Sequence, residues 1–425
     1  MKQMKAFQWK NFSWQTLNYA VSGFLLLFLW VVMANQWSAE EFGQFSALFA
    51  FIAVYALIVD LGLDFYLTKR AAQESTKAFT KNLVLFKLFT SLFISLLFLV
   101  IGWLLAYPFW ALLWMMLGGL TLNVSLFFSC YLRGTDKLQL EAIISLIKNL
   151  LFAAGACWLL YNGYPIEALA GWYFAINSMA ALATFILLRK VNFKINNEVS
   201  EAIWPHIRRS MGIWIVTSIL GVSIRFDTLL LALFSSSADV ATFSAASRWY
   251  EALFLVITAF VMAATPKLVS VFEEANKQNI RKTTQLHFQL LLLISFFSAA
   301  LLVLLAYSVY EKLYANHLQQ GVLIIYLLSV VFPVAALNYF LIHLLLLRNQ
   351  ASKLVVLMLV STSLNVVFAW YAIEWTLSTS VYSAGIGSVI AYAGKELVLL
   401  VGLWLLFANV GVRRRSTFID PIPED

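Results

Sequence analysis

Long apolar segments alternate with short polar ones along the whole chain. A membrane-spanning helix needs about 20 mostly apolar residues, and twelve segments meet this condition. They lie at about 13–34, 43–66, 83–106, 111–132, 142–161, 168–188, 211–234, 241–265, 286–310, 321–346, 354–374 and 382–408. Because runs such as Leu290–Leu305 are apolar on every face, whereas the strands of a membrane barrel alternate, the pattern predicts membrane-spanning helices.

The composition leads to the same class of protein. Of the 425 residues, 62% are hydrophobic and only 12% are charged, against about a quarter charged in soluble domains. A soluble chain of this size could not bury so much apolar side chain. The sequence therefore predicts an all-α integral membrane protein and excludes soluble enzymes and disordered proteins.

The basic residues indicate how the helices are oriented. Of the 29 Lys and Arg residues, 24 fall in loops or span ends on one side of the predicted helices, and Lys312 alone falls on the other side. Basic loops stay in the cytoplasm, so an even number of spans places both termini there. This asymmetry accounts for the net charge of +8 without a nucleic-acid partner.

The longest predicted cytoplasmic loop divides the spans six and six. We expect an N-terminal lobe at 1–190, a linker at 191–210 and a C-terminal lobe at 211–425. A short repeat supports this division, because the segment from Glu41 to Ala47 resembles the segment from Asp239 to Ala245 at equivalent positions of the two halves. Two halves of the same orientation predict a parallel repeat, related by a pseudo-two-fold axis, with the substrate path between them.

The candidate functional residues are ionisable side chains inside the predicted spans, where charge is costly and usually faces a cavity or a partner. They are Arg225, Asp227, Arg248, Glu251, Lys395 and Glu396. Two of them, Arg225 and Arg248, lie about 14 and 11 Å from the outer ends of adjacent spans, at about 1.5 Å per residue. They could therefore share one level of a cavity. Alternatively, Arg248 and Glu251 could neutralise each other at a spacing of three residues.

Three further charged residues lie nearer the cytoplasmic ends of their spans. We expect Lys148 to extend its ammonium group towards water, and Asp60 and Asp64 to form structural pairs. The sequence has no phosphate-binding loop, HExxH or CxxC motif, and Cys130 and Cys157 lie inside spans as apolar fillers. We therefore expect no cofactor, no metal site and no catalytic residues.

Several segments together resemble the O-antigen translocase (Wzx-type) branch of the multidrug/oligosaccharidyl-lipid/polysaccharide exporter superfamily. The segments that carry the resemblance are Glu40-Glu41-Phe42-Gly43, Asp60-Leu-Gly-Leu63, Lys69-Arg70-Ala71-Ala72, Arg225-Phe-Asp227, Phe243-Ser-Ala-Ala-Ser-Arg248 and Pro266-Lys267-Leu268. The resemblance also covers the length of the chain, the number of spans and the two lobes.

The resemblance implies a V-shaped flippase that works by alternating access. Its substrate would be an undecaprenyl-pyrophosphate-linked oligosaccharide, such as an O-antigen repeat unit of lipopolysaccharide, moved from the inner to the outer leaflet. Arginine is well shaped to hold phosphate, so Arg225, Arg248 and Lys395 are the expected substrate-binding cations. Asp227, Glu251 and Glu396 would serve ion coupling or charge pairing. The partners would be the lipid-linked substrate and membrane lipid, and a polysaccharide polymerase beside the protein stays an open alternative.

Two other functions remain as alternatives. A multidrug or cation antiporter of the same superfamily would favour acidic cavity residues, whereas the deep charges here are balanced in sign. An integral-membrane glycan polymerase or ligase would need a large outer loop with acid–base residues. The outer loops are short, so we expect a transporter and not an enzyme.

Overall fold

The protein is a succession of long helices. The computed structural model describes residues 2–73, 79–135, 137–191, 193, 195, 203–273, 277–314, 318–348, 350–379 and 383–409. The helices are α1 (Lys2–Gln36), α2 (Ala39–Asp60), α3 (Leu63–Gln73), α4 (Lys81–Leu104), α5 (Phe109–Gly134), α6 (Leu138–Tyr161), α7 (Ile166–Lys190), α8 (Ile203–Phe234), α9 (Ser237–Glu273), α10 (Lys277–Leu305), α11 (Gly321–Leu347), α12 (Ala351–Thr379) and α13 (Ala384–Asn409). A π-helical turn, Ala306–Tyr310, and a short helix, Glu311–Leu313, follow α10.

The helices confirm the predicted class. Within the described residues, eleven helices are long and apolar enough to cross a membrane. The remaining predicted span, 13–34, lies in α1, whose apolar part is Val21–Gln36. Large apolar side chains such as Phe89, Phe297 and Val330 are 70–74% exposed, as expected for helices that face lipid rather than water.

The two repeat segments begin their helices in the same way. Ser38 accepts a hydrogen bond from the backbone N–H of Glu41, whose carboxylate accepts one from the backbone of Ser38. At α9, Ser236 accepts from the backbone N–H of Asp239 and donates to its carboxylate. Both are capping arrangements that satisfy backbone groups at a helix start. The predicted repeat is thus also a repeat of local structure.

The second predicted span, 43–66, contains a break that the hydrophobic pattern does not show. Helix α2 ends at Asp60, and Leu61 and Gly62 adopt left-handed φ angles of 54° and 67° before α3 begins. The Asp60 carboxylate accepts hydrogen bonds from the backbone N–H groups of Gly62 and Asp64. A carboxylate at this position satisfies the first N–H groups of α3 and complements the positive end of its dipole.

The chain forms two compact units, Met1–Arg225 and Phe226–Asp425. The division therefore falls inside α8, whereas the sequence places a linker at 191–210 before it. Residues 196–202 of that linker lie outside the described residues, as does the tail 410–425, and residues 203–210 are helical. The first part of α8, residues 203–225, thus belongs to the first unit, and its last part, residues 226–234, belongs to the second unit.

Backbone carbonyls at the end of α2 explain why the first part of α8 belongs to the first unit. The last carbonyls of a helix have no partner within it. The Trp214 indole N–H donates to the Leu57 carbonyl at 3.0 Å, and the Ser210 hydroxyl donates to the Leu61 carbonyl at 3.0 Å. Gly62 packs closely against α8: a Cβ atom added there would come within 2.7 Å of the Trp214 Cβ atom.

The contact between α8 and the helix break predicts that Gly62→Ala is destabilising. The backbone at position 62 is left-handed, and this conformation costs about 1–2 kcal/mol for a residue with a Cβ atom. The added methyl group would also overlap the Trp214 side chain and the Ser210 backbone carbonyl. Overpacking adds about 1–3 kcal/mol. We expect a lower melting temperature for the purified protein.

Gly163→Ala is the matched control. Gly163 has a similar φ of 70°, but a Cβ atom there would meet nothing within 4 Å. It should lose only the conformational cost. Equal melting temperatures for the two variants would show that α8 does not pack closely on the break.

Candidate functional site

The second unit contains a buried group of polar side chains around Lys395. We call Asp227, Asn338, Asn365, Lys395 and Glu396 the α13 cluster; each is at most 6% exposed. The Lys395 ammonium lies 2.9 Å from the Glu396 carboxylate and 4.3 Å from the centre of the Tyr392 ring. Adjacent residues point in different directions on a helix, but these two side chains are long enough to converge.

Two asparagines hold the carboxylates of the α13 cluster. The Asn338 amide donates to the Glu396 carboxylate at 2.6 Å and to the Glu396 backbone carbonyl at 2.8 Å. The Asn365 amide donates to Asp227 at 3.0 Å, and Asp227 interacts electrostatically with both Lys395 and Glu396. The cluster therefore ties α8, α11, α12 and α13 together through hydrogen bonds to charged groups, which are stronger than neutral ones.

Arg248 forms a separate ion pair on α9. Its guanidinium Nη1 donates to the Glu251 carboxylate at 2.8 Å, with the Arg248 side chain 3% exposed and the Glu251 side chain 25% exposed. This is the neutralisation at three-residue spacing that the sequence offered as the alternative to a substrate contact. The partly exposed Glu251 lets water or a ligand reach one side of the pair.

Arg225 belongs to a different compact unit from the other two predicted cations. It is half-buried on α8 and is the last residue of the first unit, whereas Arg248 and Lys395 belong to the second unit. The structure thus brings Lys395 together with Asp227 and Glu396, and Arg248 together with Glu251. The shared level of Arg225 and Arg248 stays a prediction.

The first unit contains a buried cation that the sequence reasoning missed. Lys87 is one of the 24 basic residues expected in loops or span ends on the cytoplasmic side; its side chain is fully buried and donates to the backbone carbonyls of Val59 and Asp60 at 2.8 and 3.2 Å. It also lies 4.0 Å from the Asp60 carboxylate. A cation at the C-terminal end of a helix neutralises the negative end of its dipole, so Lys87 stabilises the break after α2.

The sequence did contain a signal for this role of Lys87. It stands four residues into a predicted span, and the Asp60-Leu-Gly sequence in the preceding span is a typical helix stop. Nearby, Arg133 binds Glu141 through two nitrogen–oxygen contacts of 2.7 and 2.8 Å. Lys87 and Arg133 are therefore both neutralised by groups of the protein itself.

The described residues offer no arrangement for metal chemistry. A search of them finds no group of three or more His, Cys, Asp or Glu side chains that could hold a metal ion. Cys130 is buried and Cys157 is half-buried, and both are free thiols. The chemical capacity of the site lies instead in its paired cations and carboxylates, which suit anion binding and charge exchange.

Comparison with known proteins identifies the family. Residues 8–272 match the family described as "Polysaccharide biosynthesis protein", which covers more than half of the chain. No curated protein sequence is similar enough to count as a match.

Solved structures identify the fold. An inward-facing multidrug resistance MATE family transporter of the MOP superfamily is similar with a TM-score of 0.71 and 15% identity, over 93% of this chain and 94% of that one. A Vibrio cholerae MATE transporter gives a TM-score of 0.64 at 12% identity, over 97% and 99% of the two chains. A eukaryotic MATE transporter gives 0.63 at 12% identity, over 97% and 96%.

These similarities explain the architecture described above. At such low identity they show the shared fold, which has about twelve helices in two lobes. The helices and the two compact units of this protein fit that fold over nearly their full length. Because the family model matches more than half of its length, the chain belongs to the polysaccharide biosynthesis protein family.

Proposed function

We propose that the protein is a flippase for an undecaprenyl-pyrophosphate-linked oligosaccharide, such as an O-antigen repeat unit, in the bacterial cytoplasmic membrane. The observation that carries the proposal is the combination of a polysaccharide biosynthesis family with a transporter fold. Polysaccharide precursors are built on lipid carriers inside the cell, and their sugars and phosphates cannot cross hydrocarbon unaided. A transporter in such a pathway must move them.

The proposed mechanism is alternating access between two lobes, with both termini in the cytoplasm. Arg225, Arg248 and Lys395 are the proposed substrate-binding cations, since guanidinium and ammonium groups form charge-assisted hydrogen bonds with phosphate. The paired carboxylates would accept these cations whenever substrate is absent. Asp227, Glu251 and Glu396 thus act as internal counterions, or couple transport to an ion gradient.

The second candidate function is multidrug antiport. The solved structures that resemble this chain are multidrug resistance transporters, and the α13 cluster contains two carboxylates that could attract a cation. The two functions differ in their cellular readout. Loss of the flippase removes surface polysaccharide, whereas loss of an antiporter lowers the concentrations of cationic drugs that cells tolerate.

Arg225 provides the first test of the proposal. Replacing Arg225 by Ala should abolish surface polysaccharide at near-normal protein abundance, because a cation that contacts the pyrophosphate is lost. Arg225→Lys should restore export only in part, since an ammonium lacks the planar fork of a guanidinium. Immunoblots of surface polysaccharide and of the protein would measure both effects.

Arg208→Ala is the control for Arg225, because Arg208 is an exposed cation on the same helix. It should leave export unchanged. Normal export by Arg225→Ala would remove Arg225 from the substrate path. Normal polysaccharide together with drug sensitivity in cells that lack the whole protein would favour the antiporter.

The Arg248–Glu251 pair provides the second test. Arg248→Ala leaves a carboxylate in the membrane without its cation, and breaking a buried pair costs about 3–5 kcal/mol, so protein abundance should fall. Adding Glu251→Ala removes that penalty and should restore abundance. If Arg248 also binds substrate, the double variant should remain defective in export. Recovery of both abundance and export would show that Arg248 only neutralises Glu251.

A further inference from the structure

Lys148 differs from the other lysines and arginines inside the helices of the first unit. Lys87 binds backbone carbonyls and approaches Asp60, and Arg133 binds Glu141. Lys148, in contrast, makes no hydrogen bond or ion pair with any residue that the structure describes. Because Glu141, two turns earlier on the same helix, is taken by Arg133, no carboxylate of α6 is left for it. An ammonium group inside the membrane is costly unless something neutralises it.

Lys148 does not lie on the face of α6 that contacts lipid. The exposed apolar residues of α6 form one stripe, which includes Ile143, Ile147, Leu150 and Trp158 at 38–60% exposure. At 3.6 residues per turn, Lys148 lies about 100° around the helix from Ile147. It is half-buried and about 15 Å along the helix from its start at Leu138. The expected extension towards water from the end of the span is therefore a poor description of its position.

The level of Lys148 is polar on the neighbouring helix α1 as well. The Asn149 amide donates to the Ser22 hydroxyl at 2.6 Å, and that hydroxyl donates to Asn18 at 3.2 Å. This chain of side chains joins α6 to α1. Three polar side chains beside an unpaired ammonium are unusual at this depth of an apolar helix pair.

The helix α7 adds a fourth polar group at the same level. The rings of Phe152 on α6 and Tyr173 on α7 are in contact, with centroids 5.8 Å apart. Lys148 lies one turn before Phe152, and Asn177 lies one turn after Tyr173, so the two residues share a level on antiparallel helices. Asn177 is 3% exposed, and its side-chain carbonyl oxygen has no hydrogen-bond partner among the described residues.

An apolar cavity begins one turn away from this polar level. Phe152 and Tyr173 line it together with Leu26, Leu29 and Trp30 from α1, and its volume is about 10 Å³. That volume is about the size of one water molecule, so an isoprenoid chain would lie against the half-buried rings of Phe152 and Tyr173 and not inside the cavity. The first unit thus presents an ammonium and amides at one level and aromatic and aliphatic side chains at the next. A lipid phosphate matches this arrangement, because its anionic group could face the ammonium while the attached hydrocarbon chain faces the apolar side chains.

We propose that Lys148 binds the phosphate nearest the lipid of a polyprenyl pyrophosphate, while the first isoprenoid units lie against Phe152 and Tyr173. This inference rests on the proposed flippase function and names the part of the substrate that the first unit holds. The ammonium donates charge-assisted hydrogen bonds to the phosphate oxygens. The Asn177 carbonyl oxygen, which has no hydrogen-bond partner among the described residues, lies at the same level of the helices as this ammonium.

The test measures ligand binding and thermal unfolding on the same purified full-length protein. The variants are Lys148→Met, which keeps the length of the side chain without its charge, and Lys148→Arg. Lys190→Met is the matched control, because Lys190 is an exposed cation at the end of α7 in the same unit. The probes are undecaprenyl pyrophosphate, undecaprenol without phosphate, and inorganic pyrophosphate.

We expect wild type and Lys190→Met to bind undecaprenyl pyrophosphate well and the other two probes weakly. Lys148→Met should bind undecaprenyl pyrophosphate about tenfold more weakly or worse, because it loses charge-assisted hydrogen bonds. Its melting temperature without ligand should rise, since an unpaired charge has left the membrane. Lys148→Arg should keep most of the binding.

A structural role for Lys148 gives the opposite thermal result. If Lys148→Met melts at a lower temperature, or binds undecaprenyl pyrophosphate as tightly as wild type does, the inference is wrong while the flippase proposal stands. If inorganic pyrophosphate binds as tightly as the lipid, the site is for free phosphates and the isoprenoid contact is wrong. If wild type binds none of the probes and cells export polysaccharide without the protein, the proposed function fails as well.

Discussion

The cost of placing a charge in hydrocarbon shapes both units of this protein. In the first unit, Lys87 and Arg133 bind backbone carbonyls or carboxylates. In the second, Arg248 and Lys395 bind carboxylates one or three residues away in sequence. The spacing of three residues places Arg248 and Glu251 on one face of α9, so this pair neutralises its charge within a single helix. In the α13 cluster, Asn338 joins α11 to the Lys395–Glu396 pair on α13, and Asn365 joins α12 to Asp227 on α8.

The same cost explains the break after α2. A helix that ends among other helices leaves backbone carbonyls that water cannot reach. Lys87 satisfies those of Val59 and Asp60, while α8 satisfies those of Leu57 and Leu61. Residues 203–225 of α8 thus belong to the first unit because their side chains donate hydrogen bonds to the carbonyls at the end of α2. This is why the division of the chain falls within α8 and not in the loop that precedes it.

The sequence predicted the helices well because hydrophobicity and length decide them. It predicted Arg248 with Glu251 as one alternative, since a three-residue spacing on a helix fixes the geometry. It did not predict the break at Gly62, where a single left-handed glycine interrupts an apolar run without changing its hydropathy. It also counted Lys87 only as a cytoplasmic basic residue, because a count of basic residues cannot show that carbonyls lie within reach. The asparagines of the α13 cluster are uncharged and were overlooked for that reason.

The difference between paired and unpaired cations bears on how a flippase could bind an anion. A cation that already has a carboxylate partner must exchange it for the substrate, so the binding free energy is reduced by the cost of breaking that pair. A cation that folding leaves without a partner has already been desolvated, and an arriving phosphate gains nearly the full interaction. Lys148 is of the second kind as far as the described residues go, whereas Lys395 and Arg248 are of the first. Tight contact with phosphate is therefore favoured in the first unit, and contacts that can be exchanged are favoured in the second. A transporter needs both, because a substrate held only by unexchangeable contacts would not be released.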